Sequence, residues 1–248
     1  MFGTRPLDMN SQEKRSPKGR KGAPVSREFD DVYFSIDDGL AESEYVFLDG
    51  NGLPRGWRNR DYYTIAETGF GTGLNFLVAW KRFEETATPH QKLHFISIEK
   101  FPLDAEEIEL HLQPWKEVFE GYLKKLLAVY PFVTPGFHRV MINRRVMLTL
   151  VFDDVNVALP QISADVDAWF LDGFKPSTNP EMWTDEVFKN VARLSKPGTR
   201  FSTFTAAGAV RRGLNDVGFA VEKTKGYGRK RDMTIGVYNP ELVLGEPA

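Results

Sequence analysis

The stretch Tyr62-Tyr63-Thr64-Ile65-Ala66-Glu67-Thr68-Gly69-Phe70-Gly71-Thr72-Gly73-Leu74-Asn75 decides the fold of this 248-residue chain. Tyr62 to Glu67 reads as a strand ending in an acid. Gly69, Gly71 and Gly73 form a turn, and from Leu74 to Phe83 apolar residues recur at helical spacing: Leu74, Leu77, Val78, Trp80 and Phe83. Strand, glycine turn and helix together make a ligand cradle. Glycine admits a ligand that a Cβ would exclude, and the start of the helix offers free N–H groups. The spacing is G-x-G-x-G, with Leu74 where the dinucleotide fingerprint would place its last glycine. Glu67, Gly69, Phe70, Gly71, Gly73 and Asn75 are the candidate cradle residues.

Working outward, strands are expected at Leu93 to Glu99, Val146 to Phe152, Val166 to Leu171, Arg200 to Thr205, Phe219 to Lys223 and Met233 to Tyr238. Helices are expected at Asp104 to Leu112, Trp115 to Val129, Trp183 to Leu194 with Thr184 as N-cap, and Ala207 to Val217. This alternation predicts an α/β domain, with a seven-strand, largely parallel sheet covered on both faces. Its last two strands, separated by the turn-rich Lys225 to Arg231, would form an antiparallel pair at the edge. Before the sheet, Tyr33-Phe34 and Tyr45 to Leu48 read as the strands of a small β-hairpin, with turns at Asp37-Asp38-Gly39 and Asp49 to Gly52. The expected organisation is a flexible basic tail over residues 1–23, an N-terminal β extension over 24–60 and the main domain over 61–240. Residues 241–248 would be a tail or the start of a linker.

Hydrophobic residues make up 42 % of the chain, and 19 Phe and 5 Trp supply area for a sizeable core. The absence of cysteine removes disulfides, thiolate ligands and Cys nucleophiles, and suits a reducing cytoplasm. The longest apolar runs, Phe76 to Trp80 and Leu126 to Tyr130, fall far short of the roughly 20 residues a membrane span requires. Net charge is only −2, but charge is segregated: basic residues gather near both ends, around an acidic stretch from Glu28 to Glu44. Arg211, Arg212, Lys223, Lys225, Arg229, Lys230 and Arg231 form the C-terminal basic group, with Tyr227 among them. Cations interleaved with an aromatic suit single-stranded RNA as well as a solvated hairpin turn.

Strand ends carry the remaining candidates. Glu99 and its neighbour Lys100 follow the second strand, where an acid can accept hydrogen bonds from ribose hydroxyls. Asp153 and Asp154 follow the third; one would meet an adenine amino group while the other caps the helix near Asn156. The fourth strand ends in Asp172-Gly173-Phe174-Lys175-Pro176, a stiff loop able to hold the Asp172 carboxylate beside a flat substrate at Phe174, Lys175 and Pro176. Such an acid can remove a proton from an amine or attract its ammonium form. The four histidines show no metal-ligand spacing, so no metal is expected, and neither a nucleophile elbow nor a phosphate-binding P-loop occurs.

Together these segments resemble the MnmC methyltransferase domain and its stand-alone relative MnmD, which modify the wobble uridine of tRNA. The resemblance is carried by Ser26 to Ser35, Glu67 to Leu77, Phe95 to Pro102, Trp169 to Trp183 and Gly226 to Met233. It implies a Rossmann-like seven-strand S-adenosylmethionine-dependent methyltransferase sheet. The implied reaction methylates the amine of 5-aminomethyl-2-thiouridine, with tRNA as partner. Cofactor contacts would fall on Glu67, Gly69, Gly71, Gly73, Glu99 and Asp154, and the catalytic acid on Asp172. The family often has Gly before the acid after the third strand; Asp153 stands there, which leaves open which Asp meets adenine. MnmC also carries an FAD-dependent oxidoreductase that makes the amine, so the chain reads as either a stand-alone enzyme or the N-terminal part of a bifunctional one. Two other classes compete on the residues alone: a nicotinamide-dependent oxidoreductase, from the turn and Glu99, and a non-catalytic RNA-binding module, from the basic ends.

Overall fold

The computed structural model describes residues 39–228 and 230–243. A short helix, α1 (Gly39–Ser43), runs on as a π-helical turn (Glu44–Asp49). There follow β1 (Tyr62–Thr68), α2 (Leu74–Thr86), β2 (Lys92–Glu99), α3 (Ala105–Leu112), α4 (Lys116–Val129), β3 (Gly136–Met141), β4 (Val146–Phe152) and α5 (Val155–Ala158). The chain ends through β5 (Val166–Phe170), α6 (Asp185–Arg193), β6 (Ser195–Thr203), α7 (Gly208–Asp216), β7 (Phe219–Lys225) and β8 (Asp232–Tyr238). Among the described residues no helix is long and apolar enough to cross a membrane.

The strands form one eight-stranded sheet in the order β3-β4-β2-β1-β5-β6-β8-β7. β4, β2, β1, β5 and β6 are parallel, whereas β3 pairs antiparallel with β4, and β8 antiparallel with both β6 and β7. The chain steps outward from β1 through β2 to β4, then returns to lay β5 on the other side of β1. That reversal opens a crevice at the carboxyl ends of β1 and β5, where ligands bind in open α/β sheets. Strand alternation sends side chains to two cores. Ile65, Phe95, Leu150 and Phe170 join Phe76 and Trp80 of α2 on one face. Ala66, Ile96, Val151 and Trp169 join Phe188 of α6 and Leu214 of α7 on the other.

All seven expected strands are present, the last two as the antiparallel edge pair. The eighth, β3, lacks a legible apolar alternation: Phe137 and Met141 point outward and exposed, while Gly136, His138 and Val140 take the inward positions. β6 begins at Ser195 rather than Arg200, and α4 at Lys116 because Gln113–Trp115 is a 3-10 turn. Asp104 caps α3 in a reciprocal capping box with Glu107, and Thr184 caps α6 as expected.

The N-terminal extension corrects the β-hairpin expectation. Tyr45 to Leu48 is helical, with Val46, Phe47 and Leu48 buried in succession, a pattern that a strand buried on one face does not produce. The Phe47 ring lies 5.3 Å from that of Phe170. The Asn51 amide donates to the carbonyls of Phe47 and Trp169 at 2.9 and 3.2 Å and to Ser202 Oγ at 2.6 Å. Side chains, not a strand ladder, fasten the extension to the sheet, and burial overrides strand propensity here. Tyr33-Phe34 and the basic tail lie outside the described residues.

Candidate functional site

The turn after β1 occupies the crevice. Gly69 and Gly73 are left-handed, at φ 94° and 78°. A Cβ on Gly69 would stand 3.2 Å from the Asp172 carbonyl oxygen, and one on Gly73 2.8 Å from the Phe70 ring. Glycine therefore lets the two loops of the crevice close on each other. Gly73 is also the N-cap of α2 and brings no side chain over the first amides, leaving an anion-binding helix start. Glu99 reaches across from β2: Oε2 accepts the Gly71 N–H at 2.9 Å and Oε1 the Phe101 N–H at 2.8 Å. Burial pushes the Glu99 carboxyl up, against the pull of these main-chain donors.

Two cavities meet at Gly69, Glu99, Gly173 and Phe174. The smaller, about 60 Å³, is walled by Ile98, Lys100, Asp153, Asp154 and Met182. Asp154 caps α5 through the Asn156 N–H at 2.9 Å and pairs with Lys100 at 2.8 Å. Burial raises its pKa, but the Lys100 ammonium and the Asn156 donors outweigh that and hold it below the usual range. The capping question left open by sequence is thus answered by Asp154. Asp153 Oδ1 accepts the Asp154 N–H at 2.7 Å.

The larger cavity, about 300 Å³, is bounded by the glycine turn, Asn75, Asp172 and Lys175, and on its outer side by Glu42, Ser43, Phe204 and Lys230. Asp172 sits just past β5. Its Oδ1 accepts the Gly173 N–H at 2.9 Å and its Oδ2 the Asn75 amide at 2.8 Å, while Thr68 Oγ1 donates to its carbonyl at 2.6 Å. Burial pushes the Asp172 carboxyl up to about 7, although Asn75, Gly173 and the charge of Lys230 pull the other way. A carboxylate balanced near neutrality on a cavity wall can take a proton from an amine or hold its ammonium form. Behind it Glu67 is buried and lines neither cavity. Its oxygens accept from Asn75 at 2.9 Å and Ser97 at 2.7 Å, and burial together with the charge of Asp172 pushes its pKa well up.

The structure thus gathers Gly69, Phe70, Gly71, Asn75, Glu99, Asp172, Phe174, Lys175 and Lys230 around one cavity, and Lys100, Asp153 and Asp154 around its neighbour. The basic group divides. Lys230 reaches the cavity, pairs with Glu42 at 2.5 Å and lies 4.8 Å over the Phe204 ring. Tyr227 packs on Tyr45 of the extension, centroids 5.7 Å apart. Arg211, Arg212 and Arg231 line neither cavity, nor does Pro176, and Arg229 lies outside the described residues. Glu42, Ser43 and Phe204 escaped sequence reading. The first two belong to a segment whose helical form was not legible, and no spacing marks the third.

These features fit S-adenosylmethionine. A carboxylate that takes main-chain N–H groups on both oxygens while bordering both cavities is placed for a ribose diol. The uncapped start of α2 suits the amino-acid carboxylate, and the acids of the larger cavity suit a cationic centre.

Comparison with known proteins agrees. Residues 117–239 match the model of an S-adenosyl-L-methionine-dependent methyltransferase family. The bifunctional protein MnmC of Marinomonas sp. (strain MWYL1), named for tRNA 5-methylaminomethyl-2-thiouridine biosynthesis, is 48 % identical over 237 residues, covering 93 % of this chain and 35 % of its own. The protein of the same name from Methylobacillus flagellatus is 52 % identical over 219 residues, covering 87 % and 34 %. The chain spans about a third of the length of these curated relatives. In fold it is similar to MnmC2 of Aquifex aeolicus, with a TM-score of 0.72 at 22 % identity over 92 % of this chain and 71 % of that one. By sequence the chain belongs to the S-adenosyl-L-methionine-dependent methyltransferases, as a relative of the MnmC methyltransferase domain.

Proposed function

We propose that this chain methylates the primary amine of 5-aminomethyl-2-thiouridine at the tRNA wobble position, giving the methylaminomethyl form. The observation that carries the reading is Asp172, whose carboxyl is pushed up to about 7 on the wall of the larger cavity, next to the junction with the smaller one. When bound, S-adenosylmethionine supplies a methyl group on a sulfonium sulfur. Glu99 and the glycine turn would hold the donor, and Asp153 and Asp154 would meet its adenine. Asp172 draws the substrate's ammonium into the cavity and takes the proton that the amine must lose before it can attack. Methyl transfer is an in-line displacement, so alignment of amine and donor is the larger part of the catalysis.

Lys230 and Lys175 stand at the cavity, where they would meet the RNA, and exposed Arg212 and Arg231 would add phosphate contacts. The relatives' bifunctional name supports a second activity; the resemblance implies that it is the FAD-dependent oxidoreductase that makes the amine, in the same polypeptide or a separate one. Residues 61–240 would form the methyltransferase unit, acting on tRNA in the cytoplasm. The test is transfer of labelled methyl from S-adenosylmethionine to tRNA carrying the aminomethyl group. Transfer to that tRNA, absent with unmodified tRNA and lost in Asp172→Ala, is expected; no transfer to correctly premodified tRNA would overturn the reading.

A further inference from the structure

The Asn75 side chain stands between two carboxylates. Its Nδ2 donates to Asp172 Oδ2 at 2.8 Å and to Glu67 Oε1 at 2.9 Å, so both amide hydrogens are engaged. Because both acids accept from Nδ2, Oδ1 faces away from them. Oδ1 then meets a donor from a different part of the chain: the hydroxyl of Ser43, at the end of α1, lies 2.5 Å away and is buried. From this we infer that Ser43 is a positioning residue for Asp172, acting through the Asn75 amide; the inference rests on the reading of Asp172 as the working acid.

The physical argument concerns what Asn75 does without that hydroxyl. Its carbonyl would be a buried acceptor with its partner removed, which is costly, and the amide would draw away from the carboxylates to recover a partner. The Ser43 bond also polarises the amide and strengthens both donations to the acids. Loss of Ser43 therefore removes from Asp172 a donor that favours its charged form. Around Asp172, Glu67 of β1, Glu99 of β2 and Glu42 of α1 are acids, the Gly173 N–H is already engaged, the Thr68 hydroxyl donates to the Asp172 carbonyl, Lys230, before β8, is paired with Glu42, and Lys175 lines the same cavity. The N-terminal extension is in this sense part of the catalytic apparatus, because the end of α1 completes the hydrogen-bond chain Ser43–Asn75–Asp172.

The test compares Ser43→Ala, Ser43→Cys and Ser43→Thr in the full chain. Methyl transfer to premodified tRNA is followed from about pH 6 to about pH 9.5, with calorimetry of S-adenosylhomocysteine and melting temperature alongside. Ser43→Ala is expected to move the acidic limb of the rate profile up by about half to one pH unit. Near pH 9 the rate recovers to within about twofold of the parent. Ser43→Thr, which keeps the hydroxyl, restores the limb, and Ser43→Cys, a weaker donor, falls between. An unmoved limb, or a rate lowered by one factor at every pH, overturns the inference and makes Ser43 merely structural. If Ser43→Ala fails to fold, the Ser43→Cys and Ser43→Thr profiles decide by the same criterion. Full activity in Asp172→Asn would instead overturn the reading of Asp172, so the two failures are distinguishable.

Discussion

Glu99 accepts a hydrogen bond from the main-chain N–H of Gly71 at 2.9 Å, tying the end of β2 to the crown of the turn after β1. One carboxylate thus shapes the turn and borders both cavities. Glu99→Ala removes the acceptor for the turn and, on the proposed reading, for the ribose hydroxyls. Each such charge-assisted bond is worth about 1.5–3 kcal/mol. Binding of S-adenosylhomocysteine, measured by calorimetry, should weaken by about 10- to 100-fold. Unchanged affinity would remove Glu99 from the donor site.

Asp172 sets the expected pH dependence. Its carboxyl is pushed up to about 7 by burial and has to be charged to take a proton from the amine. The rate of methyl transfer at saturating donor should therefore rise with pH through about 7. Asp172→Asn keeps the shape but cannot accept the proton, and should lower the rate by about 10²- to 10⁴-fold with the acidic limb gone. A limb that survives in Asp172→Asn would belong to another group.

The same residue should cost stability. An acid at about 7 in the folded protein, against its ordinary 3.8, binds more protons folded than unfolded across that interval. Stability contributed by the neutral form is therefore present below pH 3.8 and lost as pH rises through 7. Asp172→Asn escapes the loss, so the variant should melt a few degrees above the parent near pH 8, with the gap closing towards pH 4. Equal melting temperatures at both pH values would show that the buried charge is compensated within the site. A site that gives up stability for reactivity is a common trade.

The strand, turn and helix from Tyr62 to Phe83 were legible because glycine spacing and apolar periodicity are local signals. Strand-end acids were legible because an α/β sheet brings successive carboxyl ends to one edge, so position along the chain becomes position in space. The N-terminal extension was not: Tyr45 to Leu48 has the composition of a strand, and its helical form packs on Phe170 and the Asn51 anchor, contacts that no local signal announces. β3 was missed because Phe137 and Met141 lie on its exposed face while His138 and Gly136 take inward positions, so no apolar alternation marks it. The partners of Asp172 were also beyond local reading. Asn75 was expected as a cofactor residue; that its amide bridges two acids could not be read locally, because they meet only when β1 and β5 lie side by side.

Asp167 supports the scaffold away from both cavities. Its side chain is 3 % exposed, and its Oδ1 accepts Arg60 at 2.7 Å and Lys196 at 2.8 Å while Oδ2 accepts the Thr64 N–H at 2.8 Å. A single carboxylate thereby joins β1, β5 and β6. Arg60 and Lys196 keep part of their surface in water, so they can be resolvated when the acid is lost. The Thr64–Asp167 bond, which is partly buried, and the three-strand junction cannot be replaced so easily. Asp167→Ala should destabilise the domain by about 2–4 kcal/mol and lower the melting temperature by on the order of 10 °C. Because Asp167 borders neither cavity, affinity for S-adenosylhomocysteine measured well below the transition should stay within about twofold of the parent. A large loss of affinity with little change in melting temperature would reverse that assignment and make Asp167 a residue of the site.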